Sequence, residues 1–180
     1  AALAQTQGVS KDEIVLGSIQ DLSGPIAGFG KQVRLGMMLR VDEVNEQGGI
    51  SGFDVNMAAN TRDNKYDPAV HSQEYRAIEP NILALAQTLG TPQTQAILSD
   101  MEADNVIGVP ASWWSGWQFP ESDGGVILES GSSYCIAAMG GLDWWVENKT
   151  PITKLVQPAR ARRVIAGMAD QAEGAGSNRR

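Results

Sequence analysis

The sequence predicts an α/β fold, a three-layer α/β/α arrangement built on a mostly parallel sheet with strand order 2-1-3-4-5. Two features of the pattern predict the parallel sheet and its covering helices, and 2-1-3-4-5 is the strand order assumed for that sheet. Short apolar runs, typical of strands buried on both faces, alternate with segments of helical periodicity. The runs are separated by turn-forming clusters of Gly, Pro, Ser, Thr and Asp. Repeated alternation of strand and helix favours parallel strands joined by helical crossovers.

The first half of the chain predicts two strands and two helices. Val and Met recur at helical spacing from Val33 to Val44, which gives the first helix one apolar face. Gly48-Gly49 ends that helix. The predicted elements are a strand at Ile14–Ile19, a helix over about Lys31–Glu46, a strand at Val55–Asp63 and a helix opened by Asp67 as N-cap and Pro68.

The second half continues the alternation. The third predicted helix begins like the second, with a capping residue, Thr91, followed by a proline, Pro92. A Trp-rich loop covers Trp113–Asp123. The other predicted elements are strands at Ile82–Leu89, Val106–Val109 and Val126–Leu128, helices over Thr91–Asn105 and from Ser132 or Ser133 to about Asn148, and the start of a sixth strand at Ile152–Val156.

A sheet of this order binds ligands beyond the carboxyl ends of its strands, where the strand order reverses. The segments expected there are the loop at Ser23, the turn at Thr91 and the loop at Ser112. Thr91 combines a hydroxyl with a helix N-terminus, which favours an anion such as a ligand carboxylate. The alternative is that Thr91 only caps the helix, and the two roles are compatible.

Five tryptophans allow two interpretations. Trp113, Trp114 and Trp117 lie close together on one loop, where they either wall a pocket or cover the sheet edge as core. Trp144 and Trp145 lie in the last helix, where packing is the simpler interpretation.

Composition excludes several chemistries. The chain is 42% hydrophobic and 19% charged, which is typical of globular proteins, and its net charge of −7 argues against a nucleic-acid partner. No apolar run approaches the roughly 18–20 residues of a membrane span. One Cys and one His exclude an internal disulfide and the usual Cys/His zinc sites. No cofactor or metal is expected.

The catalytic motifs that we compared with the sequence are incomplete or absent. Gly28-Phe29-Gly30 begins like a dinucleotide fingerprint, but Val33 stands where the third glycine belongs, and neither a P-loop nor a Gly-x-Ser-x-Gly elbow occurs. We interpret His71 as a surface residue of the second helix and Cys135 as a buried structural thiol. Asp63 and Asp67 are interpreted as turn-forming and capping residues rather than metal ligands.

The two ends of the chain differ from its middle. Ala2-Leu3-Ala4 resembles the end of a secretory signal peptide, which predicts export to the periplasm or the cell exterior. Residues 1–157 carry nine Lys and Arg against 19 Asp and Glu, a net −10, whereas residues 158–180 carry five Arg against two acids, a net +3. The last stretch is interpreted as a solvated tail or a surface helix; a nucleic-acid or membrane arm is the weaker alternative.

Five segments in the right order resemble the leucine/isoleucine/valine-binding family of periplasmic solute-binding proteins, which serve ABC importers. The likeness covers about residues 9–157. The segments are Ile14–Gly30 (IVLGSIQDLSGPIAGFG), Val44–Gly52 (VNEQGGISG), Asp63-Asn64 with Asp67-Pro68, Leu89–Thr94 (LGTPQT) and Gly108–Ser112 (GVPAS).

The resemblance implies a type I periplasmic-binding fold, in which two lobes close on a ligand. In that family the turn after strand three and the loop after strand four hold the ligand's carboxylate and amino groups. By position, these roles fall on Gly90, Thr91, Ala111, Ser112 and Trp113, while Ser23 and Tyr134 border the cleft. The family often has a hydroxyl residue where Trp113 stands, so amides and urea are considered beside branched-chain amino acids.

The resemblance also suggests how the chain is organised. We expect an N-terminal extension at residues 1–8, one ligand-binding lobe at 9–157 and a non-family tail at 158–180, as in a truncated or frameshifted product. The expected partners are a small polar solute and an ABC permease, and an exposed cleft face would allow self-association. A ligand-sensing receptor domain is the alternative function, and a Rossmann or flavodoxin-like enzyme is a weaker one.

Overall fold

The computed structural model describes residues 6–148. Within that range the strands are β1 Glu13–Gln20, β2 Asp54–Asn56, β3 Thr61–Asp63, β4 Ala84–Leu89 and β5 Ile107–Ala111. The helices are α1 Ala27–Glu46, α2 Pro68–Ile78, α3 Thr91–Asp104, α4 Pro120–Asp123 and α5 Tyr134–Asn148, with 3-10 turns at Ala58–Asn60, Glu79–Asn81 and Ser115–Gln118.

Three predicted features lie outside this range and are not described by the structure. The sixth strand at Ile152–Val156, the Ala2-Leu3-Ala4 segment and the tail at 158–180 lie outside the described residues. The chain divides into two compact units. Of the described residues, one unit contains 6–112 together with Val126–Leu128, and the other contains Trp113–Gly125 and 129–148.

The first unit is organised around β1. All its strand pairs are parallel: β1 pairs with β2 and β3 on one side and with β4 on the other, and β5 lies beside β4. When β2 and β3 are counted as one strand, the observed order follows the predicted 2-1-3-4-5. The reversal of strand order therefore falls between β1 and β4, as predicted.

Two predicted strands differ from the structure. The second one is interrupted by the 3-10 turn at Ala58–Asn60, where the Thr61 hydroxyl donates to the Met57 carbonyl at 3.0 Å. The fifth is reduced to a single parallel bridge between Gly108 and Ile127. Pro110 stands two residues beyond Gly108 on the same hydrogen-bonding edge of β5. Because proline has no N–H, the pairing ends there.

Helices flank the sheet on both faces. The connection β1–α1–β2 leads toward one edge strand of the sheet, and the connection β4–α3–β5 leads toward the other. Because such crossovers are right-handed, α1 and α3 lie on opposite faces of the sheet. α2 lies beside α3, where the Tyr75 hydroxyl donates to Asp104 at 3.1 Å and Arg76 pairs with Asp100. The buried core of the first unit includes Ile19, Tyr75, Ile78, Leu85, Leu89, Ile97 and Met101.

The face of α1 is less buried than its pattern suggests. The predicted apolar stripe from Val33 to Val44 is only half-buried, and Leu35 and Leu39 are exposed. The helix begins at Ala27 rather than Lys31, because the Asp21 carboxylate accepts the backbone N–H groups of Gly24 and Ile26 and organises the turn before it.

Candidate functional site

The carboxyl ends of β1, β4 and β5 form one edge of the sheet. Leu89 pairs with Ala111, so Gly90 and Ser112 follow neighbouring strands at the same level. Ser23 follows β1 three residues after its end at Gln20. The structure thus brings together the five predicted site residues of the first unit, which are Ser23, Gly90, Thr91, Ala111 and Ser112.

The turn after β4 begins α3. Gly90 is the N-cap, with φ of 101° and ψ of 140°, and Thr91 is the first residue of the helix. The prediction that Thr91 is the cap is wrong by one residue, because only glycine adopts this backbone conformation readily. The helix start has no side-chain cap, and the Thr94 N–H donates to the Gly90 carbonyl at 3.0 Å. Pro92 has no N–H and the Thr94 N–H is bonded within the turn, so the backbone donors left at the positive end of the helix dipole are those of Thr91 and Gln93.

Behind this turn lies a buried polar network. Nδ2 of Asn64 donates to Nδ1 of His71 at 2.9 Å and to the Leu89 carbonyl at 3.1 Å. Nε2 of His71 lies 2.9 Å from the Thr88 hydroxyl, which lies 2.9 Å from the Thr94 hydroxyl.

The interpretation of His71 as a surface residue is wrong, since its exposed fraction is 0%. Burial lowers the pKa of the His71 imidazole to about 4. His71, Tyr75 and Ile78 are the buried residues of α2, at spacings of four and three. That spacing is typical of an inward helix face, and it is the signal that could have placed His71 inside.

The loop after β1 is held by the Asp63 carboxylate. Asp63 accepts the Leu22 N–H at 2.8 Å, the Ser23 hydroxyl at 2.5 Å and the Lys65 N–H at 3.0 Å. Burial alone would raise the pKa of the Asp63 carboxyl, but these hydrogen bonds lower it below its usual value. The predicted turn-forming role of Asp63 is confirmed. The predicted capping role of Asp67 is also confirmed, since its side chain caps α2. Ser23 is exposed but already donates to Asp63.

The end of β5 supplies two small buried residues, Ala111 and Ser112, with exposed fractions of 7% and 2%. Sequence reasoning missed a second polar cluster nearby. Nε2 of the buried Gln20 donates to the Ser18 hydroxyl at 3.1 Å and to Oε1 of Gln87 at 3.0 Å. Polar residues inside an otherwise apolar strand were the available signal for this cluster.

The second unit contains Trp113 and Tyr134. The Tyr134 N–H donates to the Trp113 carbonyl at 2.7 Å, and the two rings meet edge-on with centroids 6.2 Å apart. Trp114 packs edge-on against Trp117, which is buried, so the core interpretation fits this pair. Two expectations for this unit are wrong. Trp144 and Trp145 are about half exposed rather than packed, and Cys135 is half-buried rather than buried.

Two kinds of feature are absent from the described residues 6–148. No group of three or more His, Cys, Asp or Glu side chains there could hold a metal ion. In the same range no helix is long and apolar enough to cross a membrane.

The chain is similar to known transport proteins. A family model described as "Periplasmic binding protein" matches residues 13–174. The solved structure of a fatty acid ABC transporter substrate-binding protein from Thermomonospora curvata is 26% identical, with a TM-score of 0.75. The aligned region covers 94% of this chain and 44% of the Thermomonospora curvata protein. The matched family range extends past Gln157, and the separate status of residues 158–180 stays a prediction.

Two further proteins similar to this chain are described as binding or transporting branched-chain amino acids. The structure of a branched chain amino acid ABC transporter from Thermus thermophilus with bound valine shares the fold at 17% identity and a TM-score of 0.70, covering 93% of this chain and 44% of its own length. The Leu/Ile/Val-binding protein BraC3 of Rhizobium johnstonii is 48% identical over 40 residues, 22% of this chain and 11% of that protein. The chain thus spans less than half the length of these relatives.

Proposed function

The chain belongs to the periplasmic binding protein family, and on that premise we propose that it binds a small carboxylate solute at the edge formed by Gly90, Thr91 and Ser112. The single observation that carries this proposal is the start of α3. It is a 14-residue helix whose N-terminus has no side-chain cap and lies at the point where strand order reverses. Backbone N–H groups and the helix dipole favour an anion there.

The ligand class follows from the relatives and from this geometry. Relatives are described as binding leucine, isoleucine and valine, as holding valine, or as serving fatty acid transport. These compounds share one carboxylate and an apolar chain. A carboxylate at the first turn of α3 would leave the chain free to contact apolar side chains. Amino acids and fatty acids are therefore favoured over urea and simple amides.

The remaining parts of the proposal concern the setting. The protein binds its ligand without converting it, acts outside the cytoplasm and delivers the solute to an ABC permease. Residues 9–157 act as one ligand-binding lobe. In a two-lobed binder the ligand is buried between the lobes, so we expect one lobe alone to bind more weakly than micromolar.

Calorimetric titration tests the ligand class with matched compounds. We expect leucine and 4-methylpentanoate to bind the chain, whereas leucinamide, which lacks the carboxylate, binds at least roughly tenfold more weakly. Thr91→Ala should weaken leucine binding by about two- to tenfold, the effect of one hydrogen bond.

The matched control is Thr6→Ala, since Thr6 is exposed and precedes β1 at the opposite edge of the sheet. That variant should bind leucine as the wild type does. Equal binding of leucine and leucinamide, or no binding of either carboxylate, would refute the proposal.

A further inference from the structure

We propose that His71 is a positioning residue for the ligand-binding turn, holding the first turn of α3 in place from beneath through its two ring nitrogens. The inference rests on the proposed function, because it concerns the same turn. It adds a residue that contacts no ligand and that lies on a different helix.

The hydrogen bonds around Asn64 determine the state of the imidazole. Oδ1 of Asn64 accepts the Tyr66 N–H at 2.8 Å, and Nδ2 donates to the Leu89 carbonyl, so the amide orientation is fixed. Nδ2 also faces Nδ1 of His71 at 2.9 Å. Because an amide nitrogen can only donate, Nδ1 must accept, and the proton of the neutral ring lies on Nε2.

The other ring nitrogen continues the network toward the turn. The Nε2–H group donates to the Thr88 hydroxyl, which is then free to donate to the Thr94 hydroxyl. The Thr94 N–H closes the first turn by donating to the Gly90 carbonyl. All four side chains in this series, Asn64, His71, Thr88 and Thr94, are fully buried.

His71 therefore joins two separate segments. Its Nδ1 side holds the loop after β3 through Asn64, and its Nε2 side holds the end of β4 and the start of α3 through Thr88. Two direct hydrogen bonds also run between the same segments: Nδ2 of Asn64 donates to the Leu89 carbonyl, and Nε2 of Gln93 donates to the Tyr66 carbonyl at 2.7 Å. Loss of either ring nitrogen should loosen one segment and leave the other in place.

Three substitutions in the full chain separate the two sides of the ring. Asn places an acceptor near the Nδ1 position, Gln places a donor near the Nε2 position, and Leu supplies neither. His71→Asn should keep the loop protected and raise amide hydrogen exchange at Thr94, whose N–H donates to the Gly90 carbonyl, by roughly five- to tenfold, the effect of one lost hydrogen bond. His71→Gln should keep the turn protected and raise exchange at Asn64–Tyr66. His71→Leu should raise exchange at both segments.

The affinity for leucine should depend on whether the first turn of α3 stays in place. It should weaken in His71→Asn and His71→Leu and lie near the wild-type value in His71→Gln. Nitrogen NMR of the only histidine in the wild-type chain should show the Nε2–H form. A proton on Nδ1, or equal exchange in all three variants along α2, β4 and α3, would overturn the proposal. A wild-type chain that binds no carboxylate would refute the proposed function, while NMR and exchange would still decide whether His71 holds the turn.

Discussion

Gly90→Ala is expected to lower the free energy of unfolding by about 3 kcal/mol and to disorder the turn at the carboxyl end of β4. At φ of 101° an L-residue is strained whatever space surrounds it. An added Cβ would also stand 2.0 Å from Oε1 of Gln93. That side chain is 2% exposed and held by the Tyr66 carbonyl, so it has little freedom to move away. Urea unfolding at neutral pH measures the change.

Gly36→Ala is the matched control for this substitution. Gly36 lies in the middle of α1, and an added Cβ there would meet nothing within 4 Å. The control should raise the free energy of unfolding by about 0.5–1 kcal/mol, because alanine is the better helix former. If Gly90→Ala proved as stable as the wild type, Gly90 would not hold the conformation described for it.

The second large effect is a loss of stability in mild acid. The free energy of unfolding should fall by about 3 kcal/mol as the pH is lowered from 7 to 4. Burial lowers the pKa of native His71 to about 4 from the ordinary 6.5. The unfolded chain therefore takes up a proton below about pH 6.5 that the native chain accepts only near pH 4. Stability is fully present above pH 6.5 and declines below it.

Between pH 7 and 5 the effect should belong to this one residue, because the chain contains one histidine and the lowered pKa of the Asp63 carboxyl adds a loss of stability only at lower pH. Titratable groups on the neighbouring elements have other partners: Tyr75 donates to Asp104, Asp63 accepts loop donors, and Asp67 caps α2. Urea unfolding at several pH values should show a slope between pH 7 and 5 in the wild type and a nearly flat line in His71→Gln. Equal slopes in both proteins would contradict the assignment.

The sheet and the position of the binding edge could be predicted because they depend on features that are local in sequence. Apolar runs mark strands, and alternation with helices makes those strands parallel, so their carboxyl ends meet at one edge. The loops after Gln20, Leu89 and Ala111 reach that edge in the structure as the order 2-1-3-4-5 requires.

The buried network could not be predicted in the same way. The partners of His71 lie seven residues before it and 17 residues after it, on a loop and on another strand. The spacing of His71, Tyr75 and Ile78 indicates an inward helix face, but nothing in the sequence identifies the partners of the two ring nitrogens of His71. The interruption at Ala58–Asn60 is likewise set by pairing with two separate stretches of β1.

Backbone NMR of the full chain during titration with 4-methylpentanoate tests the central claim most directly. We predict saturable shift changes in the amides of Thr91, Gln93 and Ser112, with none at Val9 and Ser10, which precede β1 at the opposite edge. Shift changes centred on that opposite edge, or no change at Thr91 and Gln93, would contradict a carboxylate site at the start of α3.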